Sequence, residues 1–209
     1  MTKLIPLTIL LAIFSLSACQ ADPDGQAQED GNEAAEDGNE TTVGERLLAV
    51  PPGDWNQIYQ INNTDTRVTE FVPPEQTARQ WDTKLAFESF TSLVDSDPIQ
   101  VLLNEAENDV EKCSFVQHFN LFSGLENNYP VSFRLIMCGE NEELKQGEVE
   151  LLKAIKGNEY FYIIRLLKRV PPFEIHDPDF TKEEIADWAT YFRLIGVCDP
   201  SREDHPCPS

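Results

Sequence analysis

The chain has 209 residues, a formal net charge of −21 and 41% hydrophobic residues. So acidic a protein is repelled by phosphate backbones and by anionic lipid head groups, which excludes nucleic acid as a partner. A basic protein or a cationic ligand stays open beside the plainer reading that the charge serves solubility.

Residues 1–18 read as a targeting segment. Lys3 gives a weakly positive start, and Leu4 to Leu16 form an apolar run. At about 13 residues it falls short of the roughly 20 a membrane-spanning helix needs. Ser17 and Ala18 are small, as a peptidase requires just before its cleavage point. Leu16-Ser17-Ala18-Cys19 resembles the lipobox of bacterial lipoproteins. The resemblance implies cleavage after Ala18 and lipidation of Cys19. It implies a thioether diacylglycerol and, in Gram-negative organisms, acylation of the new amine. Several acyl chains at about 0.8 kcal/mol per buried CH₂ make a stable anchor. By the same resemblance, Gln20 favours the outer membrane, where an Asp would favour the inner one. The alternative is an ordinary cleaved signal peptide followed by an unrelated Cys.

Residues 20–45 hold nine acids and no Lys or Arg, and they offer almost nothing to bury. Such composition predicts a disordered segment that cannot offset its ordering entropy. As a coil it spans roughly 30 Å, and fully extended about 90 Å. The expected organisation is a signal peptide over 1–18, a lipidated Cys with an acidic tether over 19–45, and one globular domain over 46–209. The globular part is long enough for a core of its own.

Trp55–Ile61 and Arg67–Val72 read as strands around the turn-prone Asn62-Asn63-Thr64-Asp65. Trp81 to Phe90 reads as a third. Asp97 is placed to N-cap a helix with Pro98 at its first position. Ile99, Leu102, Leu103, Ala106 and Val110 would share its apolar face. Phe115–Phe122 and Val131–Met137 read as a hairpin around the turn-rich Ser123–Pro130. Gly157-Asn158 predicts a type II′ turn joining Glu148–Lys156 to Glu159–Arg169. In that register Ile155 opposes Tyr160, and Glu150 opposes Arg165. Both faces of the pair are apolar, so it should be central and covered on both sides. Thr181 and Glu184 form a capping box, Phe180 can staple onto Ile185, and Gly196 is the expected stop of the last helix. Its apolar stripe is Ile185, Trp188, Ala189, Phe192 and Ile195.

With Cys19 lipidated, Cys113, Cys138, Cys198 and Cys207 remain, an even number suited to an oxidising compartment. Of three connectivities, the predicted hairpin favours Cys113–Cys138, leaving Cys198–Cys207 to staple a short Pro-containing loop. No C-x₂-C pair suggests a zinc or redox site.

The fold class expected is α+β, mainly antiparallel sheet flanked by two helices, in the order β-β-β-α-β-β-β-β-α. That order resembles the PsbP/Mog1-type α/β/α sandwich over about residues 54–196. Glu70-Phe71-Val72-Pro73, with Gln76-Thr77 and Trp81, resembles a segment of uncharacterised bacterial envelope proteins, which implies no activity.

No hydrolase, metalloprotease or P-loop pattern occurs, and no catalytic residue, cofactor or metal site is expected. His118 reads as a half-exposed strand residue. The densest polar groups are His176-Asp177-Pro178-Asp179 and Asp199, Glu203, Asp204, His205, which flank the last helix. A metal site from His176, Asp177, Asp179 and His205 is the sharp reading. Solvated loops are the favoured one, because neither group has ligand spacing on a rigid element. Trp55, Trp81 and Trp188 read as core residues.

The function expected is that of a non-enzymatic envelope lipoprotein, anchored through lipid on Cys19. Its domain would bind an envelope protein or ligand, facing the periplasm from the outer membrane. A periplasmic hydrolase or metal-dependent enzyme is one alternative. A surface-exposed lipoprotein is another.

Overall fold

A computed structural model describes residues 44–175 and 180–208. In chain order its strands are β1 (Arg46–Leu48), β2 (Asn56–Asn62), β3 (Thr66–Val72), β4 (Thr83–Phe90), β5 (Val116–Glu126), β6 (Tyr129–Asn141), β7 (Gln146–Lys156), β8 (Phe161–Val170) and β9 (Gly196–Cys198). Helix α1 (Pro98–Asn108) separates β4 from β5, and α2 (Lys182–Leu194) separates β8 from β9. Seven strands form one antiparallel sheet in the order β2-β3-β4-β8-β7-β6-β5. β1 and β9 pair in a separate two-stranded ribbon. The fold is therefore α+β, a mainly antiparallel sheet with two helices. β1 and β9 are additions to the predicted order, because three-residue strands leave no periodicity to read.

The central strands alternate between two cores, which explains why both their faces are apolar. Val131, Phe133, Leu151, Ile155, Ile164 and Leu166 pack with Phe192, Ile195 and Val197 on the α2 side. Ile136, Leu152, Ala154, Phe161 and Ile163 pack with Leu102 and Ala106 of α1 on the other. Asp97 caps α1 by accepting from the amides of Ile99 and Gln100. The helix stops at Asn108, however, and Ile99 and Val110 are exposed, so its buried stripe is narrower than predicted.

The β7–β8 register differs from the expected one by two residues. Ile155 opposes Tyr162 and Lys156 opposes Phe161, leaving Asn158-Glu159 at the tip. Gly157 does not have the positive φ a type II′ turn requires. The reason is Glu45. Its carboxylate accepts from the amides of Asn158 (2.6 Å), Glu159 (3.3 Å) and Tyr160 (3.3 Å). A Cβ on Gly157 would collide with that carboxylate, so this glycine serves close approach and not turn geometry. A slip of two keeps every side chain on its predicted face.

Glu45 also corrects the tether boundary. It is buried within the fold, which thus includes residues assigned to the disordered segment. Residues 1–43, Cys19 included, lie outside the described residues.

The β5–β6 hairpin turns on Asn127-Asn128 alone, with φ of 47° and 62°, where an eight-residue loop was expected. Asn tolerates this left-handed region better than most residues. The turn is held from outside. Asn127 Nδ2 donates to Val197 O and Pro206 O, and Asn128 Nδ2 donates to Asp204 O. Gly196 is likewise no helix stop of the left-handed kind. Ile195 caps α2 in extended conformation and Gly196 opens β9.

Two disulfides are present. Cys113–Cys138 ties the segment after α1 to β6, and Cys198–Cys207 closes the C-terminal loop.

Candidate functional site

Helix α2 is fixed at both ends. At its start, the Thr181 hydroxyl accepts from the Glu184 amide while the Glu184 carboxylate accepts from the Thr181 amide. Glu184 also receives Lys168 Nζ from β8 at 2.5 Å. Those bonds, Lys168 first, hold its carboxyl below the usual range. At the other end Lys153 rises from β7 with only 1% of its side chain exposed. Its ammonium donates to Phe192 O (3.0 Å) and Ile195 O (2.7 Å), the carbonyls that close the helix. Its third partner is Glu126 Oε2 from β5, at 2.6 Å. A cation here offsets the negative end of the helix dipole as well as satisfying orphan carbonyls. Burial lowers the Lys153 pKa, and Glu126 opposes that shift.

Held over β7 and β8, α2 leaves the β5–β6 side of its sheet face open. A cleft of about 480 Å³ lies there. Leu121, Phe122 and Glu126 line it from β5, Phe133 from β6 and Lys153 from β7. Lys182, Ile185, Ala186, Ala189, Phe192 and Arg193 line it from α2. The two alanines give it depth, and Phe133 stacks on Phe192 at the base with ring centres 5.2 Å apart. A β-bulge shapes the outer wall. The register jumps between Asn120 and Phe122, so Leu121 is unpaired and both Leu121 and Phe122 border the cleft. Regular alternation would have sent one of them to the opposite face.

On the α1 side, one guanidinium serves three carboxylates. Arg165 meets Glu150 at 2.5 Å, Glu105 at 2.9 Å and Glu88 at 3.6 Å. The carboxylates keep Arg165 protonated well above its ordinary value. One cation cannot hold all three acids ionised. Burial therefore dominates at Glu150, whose pKa is pushed up to about 7, and it also raises Glu88. The adjoining hollow is only about 120 Å³. Charge compensation inside a sheet face accounts for this group.

His205 lies apart from the cleft. It is buried, stacks on Tyr129 at 4.0 Å and contacts Asn127 O through Nδ1 at 2.9 Å. It docks the C-terminal loop onto the β5–β6 turn. The other members of the predicted polar cluster, His176, Asp177 and Asp179, lie outside the described residues. Among the described residues no group of three or more His, Cys, Asp or Glu is arranged to hold a metal ion. His118, on exposed β5, contacts Arg134 at 3.2 Å. Trp55 and Trp188 meet edge to face at 5.7 Å against the α2-side core. Trp81 instead lies under Arg169 and Lys84.

No family model and no curated protein sequence matches the chain. Its fold is similar to solved structures at low identity. The Ran-binding protein Mog1p of Saccharomyces cerevisiae is 14% identical over 72% of this chain and 85% of its own, with a TM-score of 0.38. LpqN of Mycobacterium tuberculosis, involved in cell envelope biogenesis, is 10% identical over 76% of this chain and 86% of its own, with a TM-score of 0.34. At this level of likeness neither neighbour assigns a function.

Sequence reasoning missed the cleft. Lys153 carried a signal, as the lone cation inside the apolar run Val149–Ile155 of a strand read as covered on both sides. Glu126 carried none, since it fell within the presumed loop, and the bulge at Leu121 leaves no mark in composition.

Proposed function

We propose that this protein is a non-enzymatic, lipid-anchored envelope protein whose globular part binds an apolar ligand or partner segment in the cleft between α2 and β5. The cleft carries the reading. Its walls are apolar side chains that a closed sandwich would bury, and it falls within the size range of ligand sites. Support for the anchor comes from Leu16-Ser17-Ala18-Cys19, and Gln20 favours the outer membrane with the globular part facing the periplasm. The four other cysteines, paired in two disulfides, suit an oxidising compartment.

The test is binding of the neutral apolar dye Nile red to the full chain carrying Cys19→Ser, with Ala189→Trp as the filled-cleft variant. Saturable binding that the variant weakens by about tenfold or more, with an unchanged melting curve, is the expected result. Equal binding by the variant would remove the cleft as the site.

A further inference from the structure

We propose that the occupant of the cleft is an anionic single-chain amphiphile, a long-chain carboxylate, held by its acyl chain along α2 and by its head group at Arg193 or Lys182. The inference rests on the binding reading above and adds the ligand's charge and shape.

Charge comes first. The chain carries 37 acids against 16 Lys and Arg, yet the cleft reverses that ratio, with three cations and one acid among its lining residues. Glu126 is already spent on Lys153. Lys182 and Arg193 have no carboxylate partner among the described residues. The net charge of the molecule repels large anionic surfaces, since a membrane or a nucleic acid meets the whole field. A small anion entering the cleft meets the local cations at short range, where the distant acids are screened within about 10 Å.

Shape comes second. Lys182 and Arg193 stand at opposite ends of α2, eleven positions apart, which is about 16 Å along a helix. Between them the surface is made by Ala186 and Ala189 facing Leu121 and Phe122. A narrow apolar trough with a cation at each end matches an extended hydrocarbon chain with one charged terminus. A neutral apolar molecule would leave both cations unused. A short carboxylate would leave the trough empty.

The probe is cis-parinaric acid, a fluorescent long-chain carboxylate, titrated into the full chain carrying Cys19→Ser, with its methyl ester as the uncharged comparison. The acid should bind at least about threefold more tightly than the ester, since an ion pair with an exposed cation contributes up to about 1 kcal/mol. Lys182→Glu/Arg193→Glu, which alters two exposed side chains, should abolish that preference, so that the acid binds no more tightly than the ester. Ala189→Trp should weaken both. If acid and ester bind alike and the charge reversal changes nothing, the anionic amphiphile is overturned and the apolar cleft survives. If neither they nor Nile red binds, the binding reading fails too. If both probes are excluded while the chain sediments as a dimer that Ala189→Trp dissociates, a second copy fills the cleft and the amphiphile is overturned.

Discussion

Two buried charges do opposite things to this protein. Glu150 is an acid whose folded-state pKa stands at about 7 against an ordinary 4.5. The folded chain therefore holds this proton more tightly than the unfolded chain. The contribution to stability is complete below about pH 4.5 and is lost as pH rises through about 7. Glu88 and Asp109 are shifted the same way by burial. Glu184, Asp199 and Asp204 are shifted downward, so their contribution is lost only in more acid solution. Urea unfolding should show stability rising by about 2–3 kcal/mol on going from pH 8 to pH 5. Glu150→Gln should remove most of that rise, and a full rise in the variant would show that Glu150 is not its source. Lys153 is the opposite case, a buried cation with every proton donated. Lys153→Met should cost about 3 kcal/mol in urea unfolding, because Glu126 and the carbonyls that end α2 lose their partner together. A cost below about 1 kcal/mol would mean that the helix end is satisfied in another way.

At the level of elements, the C-terminal loop matters because of what it grips. The Cys198–Cys207 bridge presents Asp204, His205 and Pro206 to the Asn127-Asn128 turn. Replacing both cysteines with serine should lower stability by about 2–3 kcal/mol. Amide exchange should show the turn losing protection along with the loop. Protection lost in the loop alone would separate the two. These elements also show where sequence reading succeeds and where it stops. Asp97 and Thr181 cap their helices as their local sequence implies, since a cap needs only neighbours within four residues. The alternation in β7 and β8 placed each side chain on its correct face. The register itself depends on Glu45, more than a hundred residues upstream, bonding the tip of that hairpin. The same holds for Asn127-Asn128, whose partners come from the far end of the chain. Local pattern sets type and face. Long-range hydrogen bonds hold the two hairpin turns and the β7–β8 register.

For the molecule as a whole, the charge of −21 is a standing source of self-repulsion. Raising salt from about 0.01 M to 0.15 M should raise the melting temperature, because repulsion between exposed acids is screened while the buried pairs of Arg165 and Lys153 are not. A fall would mean that surface ion pairs such as Lys168–Glu184 outweigh repulsion. Architecturally, α1 lies over β5 to β7 on one face of the sheet and α2 leaves the β5–β6 part of the other face uncovered, with Lys153 and Lys168 holding α2 at its two ends.

The most direct measurement is photocrosslinking in the cell, with the reactive side chain placed at Ala186 in the cleft or at Glu107 on the exposed side of α1. A discrete adduct should form from Ala186 and none from Glu107, and Ala189→Trp should abolish the adduct. Equal adducts from both positions, or an adduct from Glu107 alone, would contradict binding in the cleft.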